Sequence, residues 1–147
     1  MDSVLVLAPA KINWTLDILS IDERGYHLLD MLMQRISLYD TVTIKKGVQG
    51  INLKTNLRWL PVDERNTAFI SARLFYEATN IDDGCEIYIK KVIPSGAGLA
   101  GGSADAAAVL IMLNQLFSNP LKSLKKGKKP VGDTVEEIYT NFTKDIK

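Results

Sequence analysis

The spacing of apolar and polar residues changes period several times along the chain, and each change marks an element. Val4-Leu5-Val6-Leu7-Ala8 is a short apolar run that predicts a strand, and Ile12–Leu19 predicts a second. Pro9 falls between them, where its missing N–H is tolerated. Asp22-Glu23-Arg24-Gly25 has turn chemistry. Leu28–Ile36 is apolar without a decisive period and stays open between helix and strand. Asp40–Lys46 alternates cleanly, Val42 and Ile44 against Thr41, Thr43 and Lys45, as in a half-buried strand. Gly47 and Gly50 then bracket a predicted hairpin turn into Ile51–Lys54. In Asn66–Thr79 the apolar positions Ala68, Ala72, Phe75 and Ala78 share one helical face, with Asn66 as N-cap. Glu86–Val92 alternates again, and Ser103–Phe117 is apolar almost all round, which predicts a buried helix.

From Ser118 the character changes. Lys122, Lys125, Lys126, Lys128 and Lys129 crowd a stretch that also holds Pro120, Gly127 and Pro130, as in a solvated linker, and a short helix is expected at Thr134–Phe142. Composition fits a globular protein of one ordinary domain: 147 residues, 46% hydrophobic and 24% charged. A formal charge of +1 supplies no general attraction for nucleic acid or a membrane, so an anionic ligand must be held by local geometry. The single cysteine, Cys85, cannot pair within the chain, and its acidic neighbours Asp82, Asp83 and Glu86 disfavour a thiolate, so a core or turn role is expected. No basic leader or membrane span opens the chain, and the expected location is the cytoplasm.

The chemistry concentrates between the Glu86–Val92 strand and the Ser103 helix, at Ile93-Pro-Ser-Gly-Ala-Gly-Leu-Ala-Gly-Gly-Ser103. Glycines let the backbone approach a ligand and turn successive N–H groups toward it, and a helix N-terminus adds partial positive charge. Strand, loop and helix in this order favour anion binding over a plain structural turn. A Walker loop needs a lysine after the last glycine, and Ser103 stands there. Gly96-x-Gly98-x-x-Gly101 matches the dinucleotide fingerprint weakly, because the acidic residue expected about 20 residues on is replaced by Leu121-Lys122-Ser123. A protein-kinase glycine loop also lacks its later segments. Ser103 can cap the following helix or turn its hydroxyl toward a phosphate or metal ion.

The run Pro94–Ala104, continuing into Asp105-Ala-Ala-Ala, closely resembles the central phosphate motif of the GHMP kinase family. Pro9-Ala-Lys-Ile-Asn13, Gly25-Tyr-His-Leu-Leu29 and Gln34–Thr43 resemble its members that act on 4-diphosphocytidyl-2-C-methyl-D-erythritol. The resemblance spans about residues 4–117. It implies an α+β fold, a mixed and largely antiparallel sheet with helices on one face, of the ribosomal-S5-domain-2-like type. It implies an ATP-binding N-terminal lobe over 1–117 and a linker with a short helical tail over 118–147. It also implies transfer of the γ-phosphate of ATP, with Mg2+, to a hydroxyl of that cytidyl-diphosphate substrate.

Residue by residue, the resemblance implies that Lys11 is catalytic and that Asn13, Tyr26 and His27 bind the diphosphocytidyl end. It implies ATP binding by Pro94, Ser95, Gly96, Ala97, Gly98, Leu99, Ala100, Gly101, Gly102, Ser103 and Ala104, with Asn66 near the adenine and Ser103 at the metal. Trp59-Leu60-Pro61 either walls the adenine pocket or simply packs. One departure stands out: the family's Gly-Ala-Asp-Val-Pro-Phe-type segment, which carries the catalytic aspartate, has no counterpart. Asp133 resembles it only superficially, and the base stays unassigned. The family's C-terminal lobe also lacks a counterpart, so the tail reads as truncated or internally deleted. Self-association through the face that lobe would cover is expected. The alternative function is a non-catalytic nucleotide-binding or interaction domain that keeps the loop.

Overall fold

The structure, a computed structural model, describes residues 2–23 and 25–121. The basic stretch from Lys122, the predicted Thr134–Phe142 helix and Asp133 lie outside the described residues. The elements run β1 (Ser3–Ile21), β2 (His27–Lys46), β3 (Ile51–Thr55), α1 (Thr67–Thr79), β4 (Cys85–Lys90) and α2 (Gly101–Leu116). The four strands form one sheet in the order β1-β2-β4-β3. β1–β2 and β2–β4 are antiparallel and β3–β4 is parallel, so the sheet is mixed and largely antiparallel, as expected.

Three local expectations change. The two predicted N-terminal strands are one, β1, which passes through Pro9 with a register shift between Pro9 and Lys11. Its position at the sheet edge leaves the missing proline N–H without a ladder partner to fail. Leu28–Ile36 resolves as strand within β2, because a partner strand rather than its own period organises it. The turn at Gly47–Gly50 does not make a β2–β3 hairpin, because β4 inserts between the two strands. The reason lies in burial: Ile87 and Ile89 of β4 are fully covered and claim the centre, while β3 buries only Leu53 and takes the edge.

Alternation makes one face of the sheet apolar. Val42, Ile44, Leu53, Ile87 and Ile89 meet Ala68, Ala72 and Phe75 of α1 and Val109, Met112 and Leu113 of α2 in one core. Asn66 caps α1 as expected, its side chain accepting from the Ala68 N–H at 3.0 Å. Cys85 is buried at the start of β4, as a core residue.

β1 and β2 outrun the rest of the sheet. β4 pairs with β2 only from Thr41 to Lys46, so Lys11–Ile21 and His27–Arg35 form a two-stranded ribbon. Both of its faces are open, with Trp14 64% and Ile18 61% exposed. A lone hairpin is marginally stable in water. Trp14 Nε1 ties the strands by donating to Gln34 Oε1 at 2.7 Å.

Candidate active site

The segment between β4 and α2 is drawn over the N-termini of both helices. Gly96 and Gly98 have φ of +74° and +72°, a conformation that glycine reaches without strain. α2 starts at Gly101, two residues before the expected Ser103. Ala100 is its N-cap, in the left-handed conformation, and makes no side-chain capping bond. Ser103 is therefore inside the first turn and does not cap the helix, which leaves the ligand-facing alternative for its hydroxyl. The first N–H groups of the helix have no partner within it. Thr67, at the start of α1, donates its hydroxyl to the Gly102 carbonyl at 3.1 Å, so the two helix N-termini meet at the loop.

These elements enclose a cleft of about 510 Å³. Its walls include Pro94–Ser103, Leu60, Pro61, Arg65, Asn66 and Thr67, and its lining also includes Lys91 and Asp105. Trp59 is not among the lining residues and is largely exposed. Gly101 could carry no side chain: a Cβ there would lie 2.9 Å from Ile93 Cγ2 and 3.1 Å from Lys91 Nζ. Arg65, at the rim, is held in a two-pronged bond to Asp63, Nε to Oδ1 at 2.9 Å and Nη2 to Oδ2 at 2.8 Å. Those bonds hold the Asp63 carboxyl down at about 2 and raise the Arg65 guanidinium further.

Sequence reasoning missed the charges beneath the loop. Lys91 Nζ is bonded to both Asp40 Oδ2 and Asp105 Oδ2, the latter at 2.7 Å, and all three side chains are almost wholly buried. Burial disfavours the Lys91 ammonium, but the bonds and charges of Asp105 and Asp40 outweigh it and raise its pKa. Burial pushes the Asp105 carboxyl up to about 6, against the pull of Lys91. A lysine closing an alternating strand reads as solvated, and only the partners at positions 40 and 105 mark it otherwise. The expected motif did contain Asp105, although no role was attached to it.

The predicted residues divide into two groups. Pro94–Ser103 and Asn66 line the cleft, although the Asn66 amide is committed at both ends, accepting from Ala68 and donating to the Pro61 carbonyl at 2.8 Å. Ala104 belongs to the first turns of α2 and is not among the lining residues. Lys11 joins the loop directly, its backbone N–H donating to the Leu99 carbonyl at 3.0 Å. The Lys11 ammonium donates to Asn13 Oδ1 at 3.0 Å, which brings those two together beside the loop. Tyr26 and His27 lie at the far tip of the ribbon, where His27 faces Ile21. The strand from Asn13 to Ile21, at about 3.3 Å per residue, runs on the order of 25 Å. Asp22 shapes that tip, Oδ1 accepting from the Tyr26 N–H at 2.9 Å. Among the described residues no group of three or more His, Cys, Asp or Glu is arranged to hold a metal. Likewise, no described helix is long and apolar enough to cross a membrane.

The family profile described as GHMP kinases N terminal domain matches residues 66–136, a span that starts at the α1 cap and includes the whole loop. The chain carries a GHMP kinase N-terminal domain. Among curated relatives, a 4-diphosphocytidyl-2-C-methyl-D-erythritol kinase of Clostridium botulinum (strain Alaska E43 / Type E3) is 52% identical over 113 residues, covering 77% of this chain and 40% of the relative. A crystal structure of 4-(cytidine 5'-diphospho)-2C-methyl-D-erythritol kinase superimposes with a TM-score of 0.68 at 38% identity, over 78% of this chain and 41% of that one. The homoserine kinase of Cytophaga hutchinsonii superimposes with a TM-score of 0.63 at 29% identity, over 81% and 36%. The α+β architecture expected for a GHMP kinase domain is thus the observed one. The chain spans about two fifths of the length of the curated relatives it matches.

Proposed function

We propose that the chain supplies the ATP-binding and phosphoryl-transfer half of a small-molecule kinase acting on a hydroxyl of 4-diphosphocytidyl-2-C-methyl-D-erythritol, in the cytoplasm. The supporting observation is the bond from Lys11 to Leu99, which joins the one lysine of the Pro9–Asn13 motif to the glycine loop. Phosphoryl transfer asks a protein chiefly to position groups and neutralise charge. Free amides of the loop and of the first turn of α2 would cradle the phosphates, and Arg65 adds a cation at the rim. Lys11 would neutralise charge on the transferring group. Asn13, Tyr26 and His27 would hold the diphosphocytidyl end by stacking and hydrogen bonding, which requires the ribbon to bring its tip, about 25 Å of strand away, toward Lys11.

Mg2+ keeps several waters and phosphate oxygens around it, and Ser103, in the first turn of α2 beside the loop, would add its hydroxyl to that shell. When bound, the ion would neutralise charge on the phosphates. Residues 1–117 form the catalytic lobe in this reading and 118–147 its linker and tail. The chain would also self-associate through the face that a C-terminal lobe would cover.

An ATP titration paired with a turnover assay on the cytidyl substrate tests the reading. Lys11→Ala should leave ATP binding intact and lower turnover by roughly 10²–10³-fold. Tight ATP binding without turnover in the unaltered protein would leave only a nucleotide-binding domain, and no ATP binding at all would sink both.

A further inference from the structure

Three buried charges beneath the cleft are more than its walls require. Asp40 comes from β2, Lys91 follows β4 and Asp105 lies in α2, and their side chains are 0%, 3% and 4% exposed. An apolar trio of the same volume would generally serve stability as well or better, because desolvating charges offsets their attraction. Nor do they attract phosphate, since two carboxylates and one ammonium leave a net negative charge near an anion site. Geometry gives them a different task. Asp40 Oδ1 accepts from two successive amides of the incoming stem of the loop, Val92 at 2.5 Å and Ile93 at 2.9 Å. Its other oxygen holds Lys91, and Lys91 holds Asp105 on the outgoing helix.

The Lys91 backbone is fixed in turn by Asn56, which accepts its N–H at 2.7 Å and donates to its carbonyl at 3.1 Å. Gly101 closes over the ammonium with no room for a side chain. Both stems of the loop are therefore tied to one ammonium, which leaves the amides of the segment between them free to meet a ligand. Asp105 Oδ1 is buried without a hydrogen-bond partner, an arrangement that packing alone does not favour.

We propose that Asp40, Lys91 and Asp105 are positioning residues that set nucleotide affinity by fixing the separation of the two stems of the phosphate loop. This rests on the ATP-binding reading above. Two variants test it: Asp105→Asn, which keeps the shape, and the charge-free triple Asp40→Asn/Lys91→Met/Asp105→Asn. Each is measured for ATP and adenosine affinity, melting temperature and amide exchange in the unliganded protein. The expected result for both is a melting temperature near that of the unaltered chain and ATP affinity weaker by at least about tenfold, with adenosine affinity unchanged. Amides of 96–102 should exchange faster by a similar factor. Unchanged ATP affinity, or equal losses for ATP and adenosine, would overturn the proposal. If the triple does not fold, Asp105→Asn alone decides by the same criteria. If the unaltered chain binds no ATP, the ATP reading fails on its own, and unchanged loop exchange in Asp105→Asn would then overturn the positioning role as well.

Discussion

β1 and β2 each pass through two environments, and the contrast between them explains much of the molecule. In the body, Val42 and Ile44 of β2 lie at 0% exposure under the helices. In the ribbon, the same two strands present Trp14, Ile18, Leu32 and Met33 to solvent. Pairing runs through both regions, although register shifts at Asn13/Thr15 and Ile18/Ser20 fall in the ribbon and none falls in the body. What differs is a second layer: α1 and α2 cover the body and no described element covers the ribbon. The body is built to hold the loop, and the ribbon carries surface suited to contact with something else. Lys11 stands at the junction, bonded to the loop on one side and opening the ribbon on the other.

The sharpest way to break the comparison is in the centre of the body. Ile87 faces Ile44 on one side and Leu53 on the other, so Ile87→Ala should cost about 2–5 kcal/mol in a urea titration. A loss under about 1 kcal/mol would mean that the core is not closed as described. At the joint between body and cleft, Asn66→Ala removes the α1 cap and the bond to Pro61, and about 0.5–2 kcal/mol should be lost. In the ribbon, Ile18→Ala should change stability by no more than about 0.5 kcal/mol, and a larger loss would reveal a cover over that face.

The smallest effect is confined to acid. The Asp63 carboxyl is held near 2 in the folded chain against an ordinary 3.8, so its contribution is complete above 3.8 and fades as pH falls through about 2. Asp63→Asn should therefore match the unaltered protein at the acid end of a stability profile and fall slightly below it near neutrality. Curves that stay parallel across that range would show that the Arg65 pair contributes nothing.

Much of the fold was legible locally. Alternation marked Asp40–Lys46 and Glu86–Val92, and helical spacing with a capping asparagine marked α1. Leu28–Ile36 was not decidable, because an apolar run without a period takes its form from what it pairs with. The hairpin at Gly47–Gly50 misled for a related reason. Turn residues announce a reversal but do not say which strand will lie alongside, and β4 won the central place because its apolar side chains gain more from burial there. In the site, the glycine motif and Lys11 were legible as motifs. The Asp40–Lys91–Asp105 network was not, since a charged residue alone in a sequence reads as solvated.

By itself the sequence determined the type of most elements, the phosphate loop between a strand and a helix, and the resemblance that the GHMP kinase N-terminal domain match then bore out. Those features depend on residues near one another in the chain: period, glycine content and caps. Only the tertiary structure decided the strand order, the meeting of two helix N-termini at one cleft, the junction of Lys11 with Leu99 and the burial of Lys91 between carboxylates 51 residues before it and 14 after. Each of these is a contact between distant segments, made when apolar faces are buried together, and charge pairing in a low-dielectric interior follows from that burial.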